Sequence, residues 1–359
     1  MIKHCTVYYN RIDAVSRILT GFHMLEKNGI LNVEYIENSN DFRKMANGGG
    51  PIIEVEMDGK IMAFDMGDRW ALSHEEGREY LNRIDKYFAR DYSNKIDIVT
   101  PVIFTGSDKV KPYGFNYYTT FPNNPLDIPK TTKHRIKYKT KKLTGYNKCM
   151  YPEYFEGKAN EKKKDFTIIF MARLWDDSDI VLDSNLPKDI YEYREYMISE
   201  RNRINQSRIS IMRYLKKEYG KFFIGGMYHD SYSERMCPDL IVPNALVRKK
   251  AYLDKMKKAD ICIGSMGLHR SIGWKMGEYV AAARAIVAER LEYIVPGDFD
   301  DGHHYIPFDT NDECFESVAK LYDNPDLIFS MKKANENYYK EYLKPDVQIL
   351  NAFREAGIK

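Results

Sequence analysis

The second half of the chain alternates short strand-like runs with helical stretches, and this alternation constrains the fold more than any other feature. β-branched and aromatic runs occur at 166–170, 222–224, 260–264 and 285–288. Helical patterns lie between them, at about 188–219, 246–258 and 273–283. Parallel strands need crossover connections of this kind, so the pattern predicts a parallel sheet in a doubly wound domain.

The first half of the chain shows the same alternation less regularly. Strand-like runs lie at 5–9, 51–57 and 60–65, and helical patterns at 14–27 and 73–90. Asp58-Gly59 separates two of these runs and is a strong hairpin signal. A chain of 359 residues corresponds to about two domains. The sequence therefore predicts an α/β protein with two doubly wound, Rossmann-like domains.

A basic segment separates the two halves. Residues 130–164 carry twelve Lys and Arg against three Glu and show little hydrophobic periodicity, which is typical of a surface connection. We therefore expect an N-terminal domain at 1–129, a connection at 130–164 and a C-terminal domain at 165–344. A final helix at 345–359 is expected to pack back toward the N-terminal domain.

Charge, hydropathy and cysteine content exclude several classes of protein. The 55 Lys and Arg nearly balance the 52 Asp and Glu, so no overall positive field favours nucleic acid. No apolar run approaches the roughly 20 residues that span a bilayer, and no apolar signal region precedes the first strand. The five cysteines are scattered without a C-x-x-C pair, which argues against a disulfide framework or a zinc site. We expect a cytoplasmic protein.

The candidate site follows from the predicted sheet, because doubly wound sheets bind ligands beyond the carboxyl ends of their strands. Three segments lie there: 171–179, 225–233 with Gly226, and 264–279. In the third, Ser265 and Gly267 let a ligand approach the backbone, and Ser271 is placed to cap the next helix. Such a helix end binds phosphates.

Charged residues surround this predicted phosphate site. Arg270 and Lys275 supply positive charge, and Glu278 is placed to accept hydrogen bonds from two ribose hydroxyls. The alternative is that the glycines only form tight turns and that Glu278 lies on a solvated helix face. The concentration of Gly, His269, Arg, Lys and Glu at one loop–helix junction favours the ligand site.

This half of the chain resembles the nucleotide-sugar-binding half of bacterial glycosyltransferases with the two-domain GT-B fold, of the type that assembles surface polysaccharide, lipopolysaccharide or capsule. The matching segments are 267–282, 285–289, Val295-Pro296-Gly297, 338–345 and 170–174. The resemblance covers 165–359 and is weaker over 1–130. It implies two domains facing each other across a cleft.

The resemblance implies a role for several residues. Arg173 matches the arginine that meets the donor diphosphate, Glu278 matches the glutamate that holds the ribose, and the 264–275 loop would cradle the diphosphate and sugar. Many retaining members carry an acidic residue eight positions before that glutamate, where this chain has Arg270. We infer that Arg270 or Lys275 neutralises the diphosphate, and inversion is favoured over retention.

An inverting transfer needs a base that deprotonates the acceptor hydroxyl. Asp13 follows the first strand and is the first choice, although it could instead cap the next helix. Asp65 and Asp68 are second choices beside Trp70, a plausible sugar platform; they could instead form a turn with an Arg69 ion pair. The histidines at 4, 23 and 74 are further candidates.

No metal or other cofactor is expected. Arginine, lysine and helix N–H groups can stabilise the leaving diphosphate without one. The adjacent pair His303-His304 is expected on a surface loop, and the acids Asp298, Asp300 and Asp301 lie in a turn where acids are common.

The expected partners are a nucleotide-sugar donor and a saccharide acceptor, which could be lipid-linked. The net +9 of residues 130–164 would suit contact with the anionic inner face of the membrane, although a solvated linker is an equal alternative. Two other functions stay open. One is a sugar-nucleotide epimerase of the same architecture, and the other is a non-catalytic module that binds a glycan or nucleotide.

Overall fold

A computed structural model describes residues 2–37, 50–68, 75–93, 108–128, 148–159, 166–180 and 190–358. The chain divides into two compact units. The first unit contains Met1–Glu156, Tyr293–Asp298 and Asn337–Lys359, and the second contains Gly157–Glu292 and Phe299–Glu336. The division at 156/157 falls within the segment 130–164. Most of that segment, 130–147 and 160–164, lies outside the described residues.

The first unit is built on a six-stranded sheet in the order β2-β1-β3-β4-β5-β6. Its strands are β1 (Lys3–Tyr9), β2 (Leu31–Glu37), β3 (Ile52–Met57), β4 (Lys60–Asp65), β5 (Lys86–Ala89) and β6 (Val110–Pro112). The predicted hairpin is confirmed: β3 and β4 pair antiparallel across Asp58 and Gly59, both with positive φ. β3 also pairs antiparallel with β1, and the other neighbours in this sheet are parallel.

Helices of the first unit cover this sheet. They are α1 (Ser16–Lys27), α2 (Glu75–Arg83), the single turn α3 (Pro152–Phe155) and the last helix of the chain, Pro345–Glu355. The last helix packs in the core of the first unit, as expected, with Phe353 and Phe22 ring centroids 6.0 Å apart. The predicted helix at 73–90 is wrong beyond Arg83. Residues 86–89 instead pair with β4, and this sheet pairing overrides the local helical pattern.

The second unit contains the predicted parallel sheet, in the order β11-β10-β9-β7-β8. Its strands are β7 (Ile168–Ala172), β8 (Phe223–Met227), β9 (Ile261–Gly264), β10 (Ala285–Glu289) and β11 (Ile306–Phe308). All its pairings are parallel, which confirms the doubly wound prediction.

Most helices of the second unit lie in the predicted intervals. The helices are α4 (Ile190–Tyr219), α5 (Ser231–Met236), α6 (Asn244–Val247), α7 (Lys249–Met256), α8 (Trp274–Ala281), α9 (Asn311–Asp323) and α10 (Pro325–Tyr338). The end of α10 belongs to the first unit. The last helix of the chain, Pro345–Glu355 in the first unit, is α11. The predicted helix at 246–258 is two helices, because Arg248 is extended. The glycine pair at 225–226 lies inside β8. Within the described ranges, no helix is both long and apolar enough to cross a membrane.

Candidate functional site in the second unit

The long helix α4 carries a polar patch within its buried stripe. Ile204, Ile211 and Leu215 pack into the core of the second unit. Four polar residues on the same side of the helix are also buried: Glu200, Arg201, Asn205 and Arg208. Buried polar side chains need hydrogen-bond partners, and these four find them in the loops that follow β7 and β9.

Arg208 joins those two loops. Its Nη1 donates to the Arg173 carbonyl at 2.6 Å, its Nε to Ser265 Oγ at 2.9 Å and its Nη2 to the Met266 carbonyl at 2.9 Å. Burial lowers the Arg208 pKa to about 10 despite the nearby Glu289, and the positive charges of Arg173 and Arg203 contribute. The guanidinium therefore fixes the carboxyl ends of β7 and β9 relative to each other.

Asn205 orders the rest of the loop after β7. Its side-chain amide donates to the Trp175 carbonyl at 2.8 Å and accepts from the Trp175 N–H at 2.9 Å. The Arg173 guanidinium lies over the Trp175 ring, 4.1 Å from the centroid, and the Arg173 side chain is exposed. Arg173 is thus held by its backbone and its aromatic neighbour while its charge faces solvent.

The loop after β9 contains two consecutive residues in the left-handed region, His269 at φ 58° and Arg270 at φ 56°. This conformation costs roughly 1–2 kcal/mol for each non-glycine residue. The Glu200 carboxylate accepts from both of their N–H groups, at 3.0 Å from His269 and 3.2 Å from Arg270. A side chain of the protein itself thus occupies part of the backbone predicted to hold phosphate. The buried His269 ring also stacks on Tyr193, and Arg270 pairs with Glu292 at 3.0 Å.

Other N–H groups of this loop also have internal acceptors. Met266 N–H donates to Glu289 at 2.6 Å, and Gly267 N–H donates to the Ser271 carbonyl at 2.8 Å. The prediction that Ser271 caps the following helix is wrong. Helix α8 begins at Trp274, its N-cap is Gly273, and no described side chain caps it. Met276 N–H donates to the Gly273 carbonyl at 2.9 Å. The N–H groups of Trp274 and Lys275 have no acceptor within the helix and are therefore suited to an anion.

Glu278 and Lys275 lie in the first turns of α8. Glu278 is only 3% exposed, and its Oε1 accepts a hydrogen bond from Lys249. Its Oε2 is buried and has no hydrogen-bond partner among the residues that the structure describes. The alternative that Glu278 lies on a solvated helix face is thereby excluded. One carboxylate oxygen is left to accept from a hydroxyl.

Lys275 is surrounded by other cations. Its Nζ lies 5.1 Å from the centroid of the Tyr252 ring, and Lys249 Nζ lies 5.5 Å from the same centroid. Burial, together with the charges of Lys249, Arg208 and Arg173, lowers the pKa of Lys275 to about 8 against the raising effect of Glu278. Four cationic side chains therefore lie near one another, and one of them, Lys249, pairs with the buried Glu278. The excess positive charge is suited to a polyanion.

Gly226 has a structural role in β8. Its φ is 147°, and a Cβ at this position would lie 2.2 Å from the Leu240 carbonyl oxygen. The Leu240 carbonyl therefore fills the space that a side chain at position 226 would need. The space beside Gly267 is occupied likewise, because a Cβ there would lie 2.6 Å from Ser271 Oγ.

Candidate bases predicted in the first unit occupy different environments. Asp13 begins a 3₁₀ turn four residues after the end of β1 and is exposed; the N-cap of that turn is Ile12. Asp65 is buried, with Oδ2 accepting from Tyr87 at 2.6 Å and Oδ1 from Gly67 N–H at 2.8 Å. Asp68 pairs with Arg90. Arg69, Trp70 and His74 lie outside the described residues.

The remaining histidines have ordinary neighbours. His4 is exposed and lies 3.8 Å from Glu34, and His23 stacks on Phe121 with centroids 4.1 Å apart. The expectation that both members of the pair at 303–304 lie on the surface is wrong for His304. That residue is 7% exposed, and its Nδ1 accepts from the Asp300 N–H at 3.0 Å. Within the described ranges, no group of three or more His, Cys, Asp or Glu is arranged to hold a metal ion.

Several polar residues of the site were not predicted from the sequence: Glu200, Asn205, Arg208, Lys249 and Glu289. A signal exists for the first three, because they share one face of α4 with buried aliphatic residues.

In the first unit, the buried Asp91 was also missed. Its burial raises the pKa of its carboxyl to about 8, with Arg90 opposing and Asp68 and Asp65 adding to the shift.

Comparison with known proteins gives similarities at low identity. No family model and no curated protein matches this chain. S. aureus MnaA, solved with UDP, is 11% identical with a TM-score of 0.46, over 99% of this chain and 96% of that one. A glycosyltransferase from Rickettsia africae is 10% identical with a TM-score of 0.42, over 96% and 80%.

A third solved structure matches part of the chain. It is the C-terminal domain of the glycosyl transferase group 1 family protein LpcC from Francisella tularensis. The identity is 11% and the TM-score 0.35, over 54% of this chain and 97% of that domain.

Proposed function

We propose that the chain is a GT-B glycosyltransferase that moves a sugar from a nucleotide-sugar donor to a saccharide acceptor. One observation carries the proposal: the positive charges of Arg173, Lys249 and Arg208 gather near Lys275 at the carboxyl end of a parallel sheet, and Lys249 pairs with the buried Glu278. A nucleoside diphosphate carries both a polyanion and a pair of vicinal hydroxyls. It therefore matches a site that combines excess positive charge with one hydrogen-bond acceptor.

Each group has a distinct task in this proposal. Arg173 and Lys275, with the first-turn N–H groups of α8, neutralise the charge that develops on the leaving diphosphate. Glu278 Oε2 accepts from a ribose hydroxyl. Arg270 has a smaller part than expected, because its guanidinium pairs with Glu292.

The finer features extend the same proposal. Asp13 is the base of an inverting transfer, supported by its exposure four residues after the end of β1. The cations of the second unit make a metal unnecessary for the leaving group. The acceptor is a saccharide, lipid-linked in an enzyme of surface-polysaccharide assembly, and the enzyme works in the cytoplasm at the inner membrane face. The charge of residues 130–164 supports that location.

Thermal unfolding with UDP, GDP, ADP, CMP and dTDP tests the donor site, because a ligand that binds the native state raises the melting temperature. We expect one of these nucleotides to raise it. Glu278→Gln and Arg173→Ala should abolish the shift, whereas Glu316→Gln, at an exposed position of α9, should retain it. No shift with any nucleotide, or a full shift in Glu278→Gln, would contradict the donor site.

Turnover distinguishes the proposed transferase from the alternatives. Nucleoside diphosphate should be released from the matching nucleotide-sugar only when a saccharide acceptor is present, with EDTA without effect and Asp13→Asn inactive. Conversion of the nucleotide-sugar without an acceptor would identify an epimerase instead. Binding without either reaction would identify a non-catalytic module.

A further inference from the structure

We infer that Glu200 is a positioning residue of the donor site, acting as an internal counter-anion for the loop after β9. The inference rests on the proposed function for its catalytic meaning, but its structural basis is independent. Glu200 is 5% exposed and lies on α4, about seventy residues before the loop that it binds. It touches the backbone of His269 and Arg270, not the side chains of Arg173, Lys275 or Glu278 that are proposed to contact the donor.

The backbone geometry makes this carboxylate specific for the loop. Two successive left-handed residues turn adjacent N–H groups toward one point, which forms a concave anion site. Both carboxylate oxygens are used, one by the His269 N–H and one by the Arg270 N–H. The Tyr196 hydroxyl, also on α4, donates to Oε1 at 3.2 Å and helps to orient the carboxylate.

The same loop leads into the proposed diphosphate site. The carbonyl of Ser271, the next residue, accepts from Gly267 N–H, and the chain then enters α8 with Lys275 and Glu278. Without the carboxylate, the two N–H groups of the left-handed pair lose their charged acceptor, so we expect the loop to relax toward ordinary backbone angles. Glu200 thereby fixes the start of α8, while external phosphate binds elsewhere, at the first turn of that helix.

Because Glu200 occupies these two N–H groups, we expect a ligand phosphate to bind elsewhere. The N–H groups already have a charged acceptor that is covalently part of the protein and therefore present at high effective concentration. A bound nucleotide would therefore contact the side chains of the site and the N-terminus of α8.

Removal and replacement of this anion provide the test. Glu200→Ala should lower the affinity for the responding nucleotide by about tenfold or more, since two charge-assisted hydrogen bonds are lost. Sodium formate supplies a free carboxylate small enough for the vacated site. We expect formate to restore affinity and to raise the melting temperature of Glu200→Ala, whereas sodium chloride at equal ionic strength does neither.

Two further variants keep the test decisive. Glu195→Ala removes a 74% exposed glutamate from the same helix and should behave as wild type, with no response to formate. Glu200→Gln keeps one acceptor oxygen and should fold with an intermediate loss, which covers a failure of the alanine variant to fold.

The formate effect on stability is measured without nucleotide, so it separates this inference from the proposed function. If wild type binds no nucleotide but formate stabilises Glu200→Ala, the donor proposal fails and the role of Glu200 stands. Wild-type stability and affinity in Glu200→Ala would overturn the inference. The inference would also be overturned if formate did not restore the affinity or stability of a folded Glu200→Ala and if Glu200→Gln lost as much as Glu200→Ala.

Discussion

The Arg208 guanidinium donates to the main-chain carbonyl of Arg173 across 2.6 Å, thirty-five residues away in the chain. The contact matters because Arg173 is exposed and carries charge that the proposed diphosphate would meet. Through its other two nitrogens, Arg208 holds the loop after β9 as well. One buried side chain thus sets the distance between both parts of the proposed site.

Arg208→Lys should therefore weaken both stability and nucleotide binding. A lysine ammonium cannot reach the three acceptors in their fixed fork geometry, and each buried group left unsatisfied costs about 1–3 kcal/mol. We expect the free energy of unfolding to fall by about 2–4 kcal/mol in urea titrations. Arg213→Lys is the matched control on α4, because its pair with Asp239 is exposed and worth at most about 1 kcal/mol. Equal stability of the two variants would contradict the role of Arg208.

Lys275 should make nucleotide affinity depend on pH. Its pKa, lowered to about 8, means that the ammonium loses its proton as pH rises through that value, and an anion bound beside it favours the charged form. Isothermal titration should show affinity falling above about pH 8. Lys275→Arg stays charged and should flatten this dependence. Lys250→Arg, an exposed neighbour of the site, should leave it unchanged. If the nucleotide affinity of the wild-type protein does not change across that pH range, Lys275 does not contact the phosphate.

The parallel sheet of the second unit was predictable from local sequence. Its strands carry runs such as Ile168–Ala172 that are apolar throughout, as in strands buried on both faces, and helices of adequate length separate them. The same reasoning failed at 86–89, where Tyr87 and Phe88 lie within a helical pattern. Pairing with Ala63 and Phe64 of a strand twenty-four residues earlier decides that segment, and a local pattern contains no information about it.

The location of the candidate site could be predicted from the sequence, but the contacts between its side chains could not. The loop at 264–279 was located because it follows a strand at the carboxyl end of the sheet. The Glu200 contact and the Glu278–Lys249 pair join elements 29–70 residues apart, so nothing in the spacing along the chain specifies them. The expected cap by Ser271 fails for a related reason. Two left-handed residues before it delay the start of the helix to Trp274.

Asp91 should make the first unit less stable as pH rises. Burial raises its pKa to about 8 in the folded chain, from 3.8 for an ordinary aspartate. Between those values the folded state binds more protons than the unfolded state, so the free energy of unfolding falls with increasing pH until about pH 8. Asp91→Asn mimics the protonated carboxyl and should remove this part of the decline.

Urea unfolding at about pH 5, 7 and 9 measures the effect. The exposed Asp108→Asn, in the same unit, should lose stability with pH as wild type does. If Asp91→Asn shows the wild-type slope, then Asp91 is ionised in the folded protein and its burial is compensated by Arg90.

Gly226→Ala should destabilise the second unit through the chain's own backbone. The methyl group would lie 2.2 Å from the Leu240 carbonyl oxygen, and φ of 147° is unfavourable for any residue with a Cβ. Since β8 and the segment at Leu240 must separate to relieve the overlap, we expect a loss of about 3 kcal/mol or more in the free energy of unfolding. Gly220→Ala has positive φ but open space around it, so it should lose only about 1 kcal/mol. The difference between the variants measures the steric part. If nucleotide still raises the melting temperature of Gly226→Ala, the role of the glycine is structural only. If Gly226→Ala has wild-type stability but nucleotide no longer raises its melting temperature, Gly226 belongs to the ligand site.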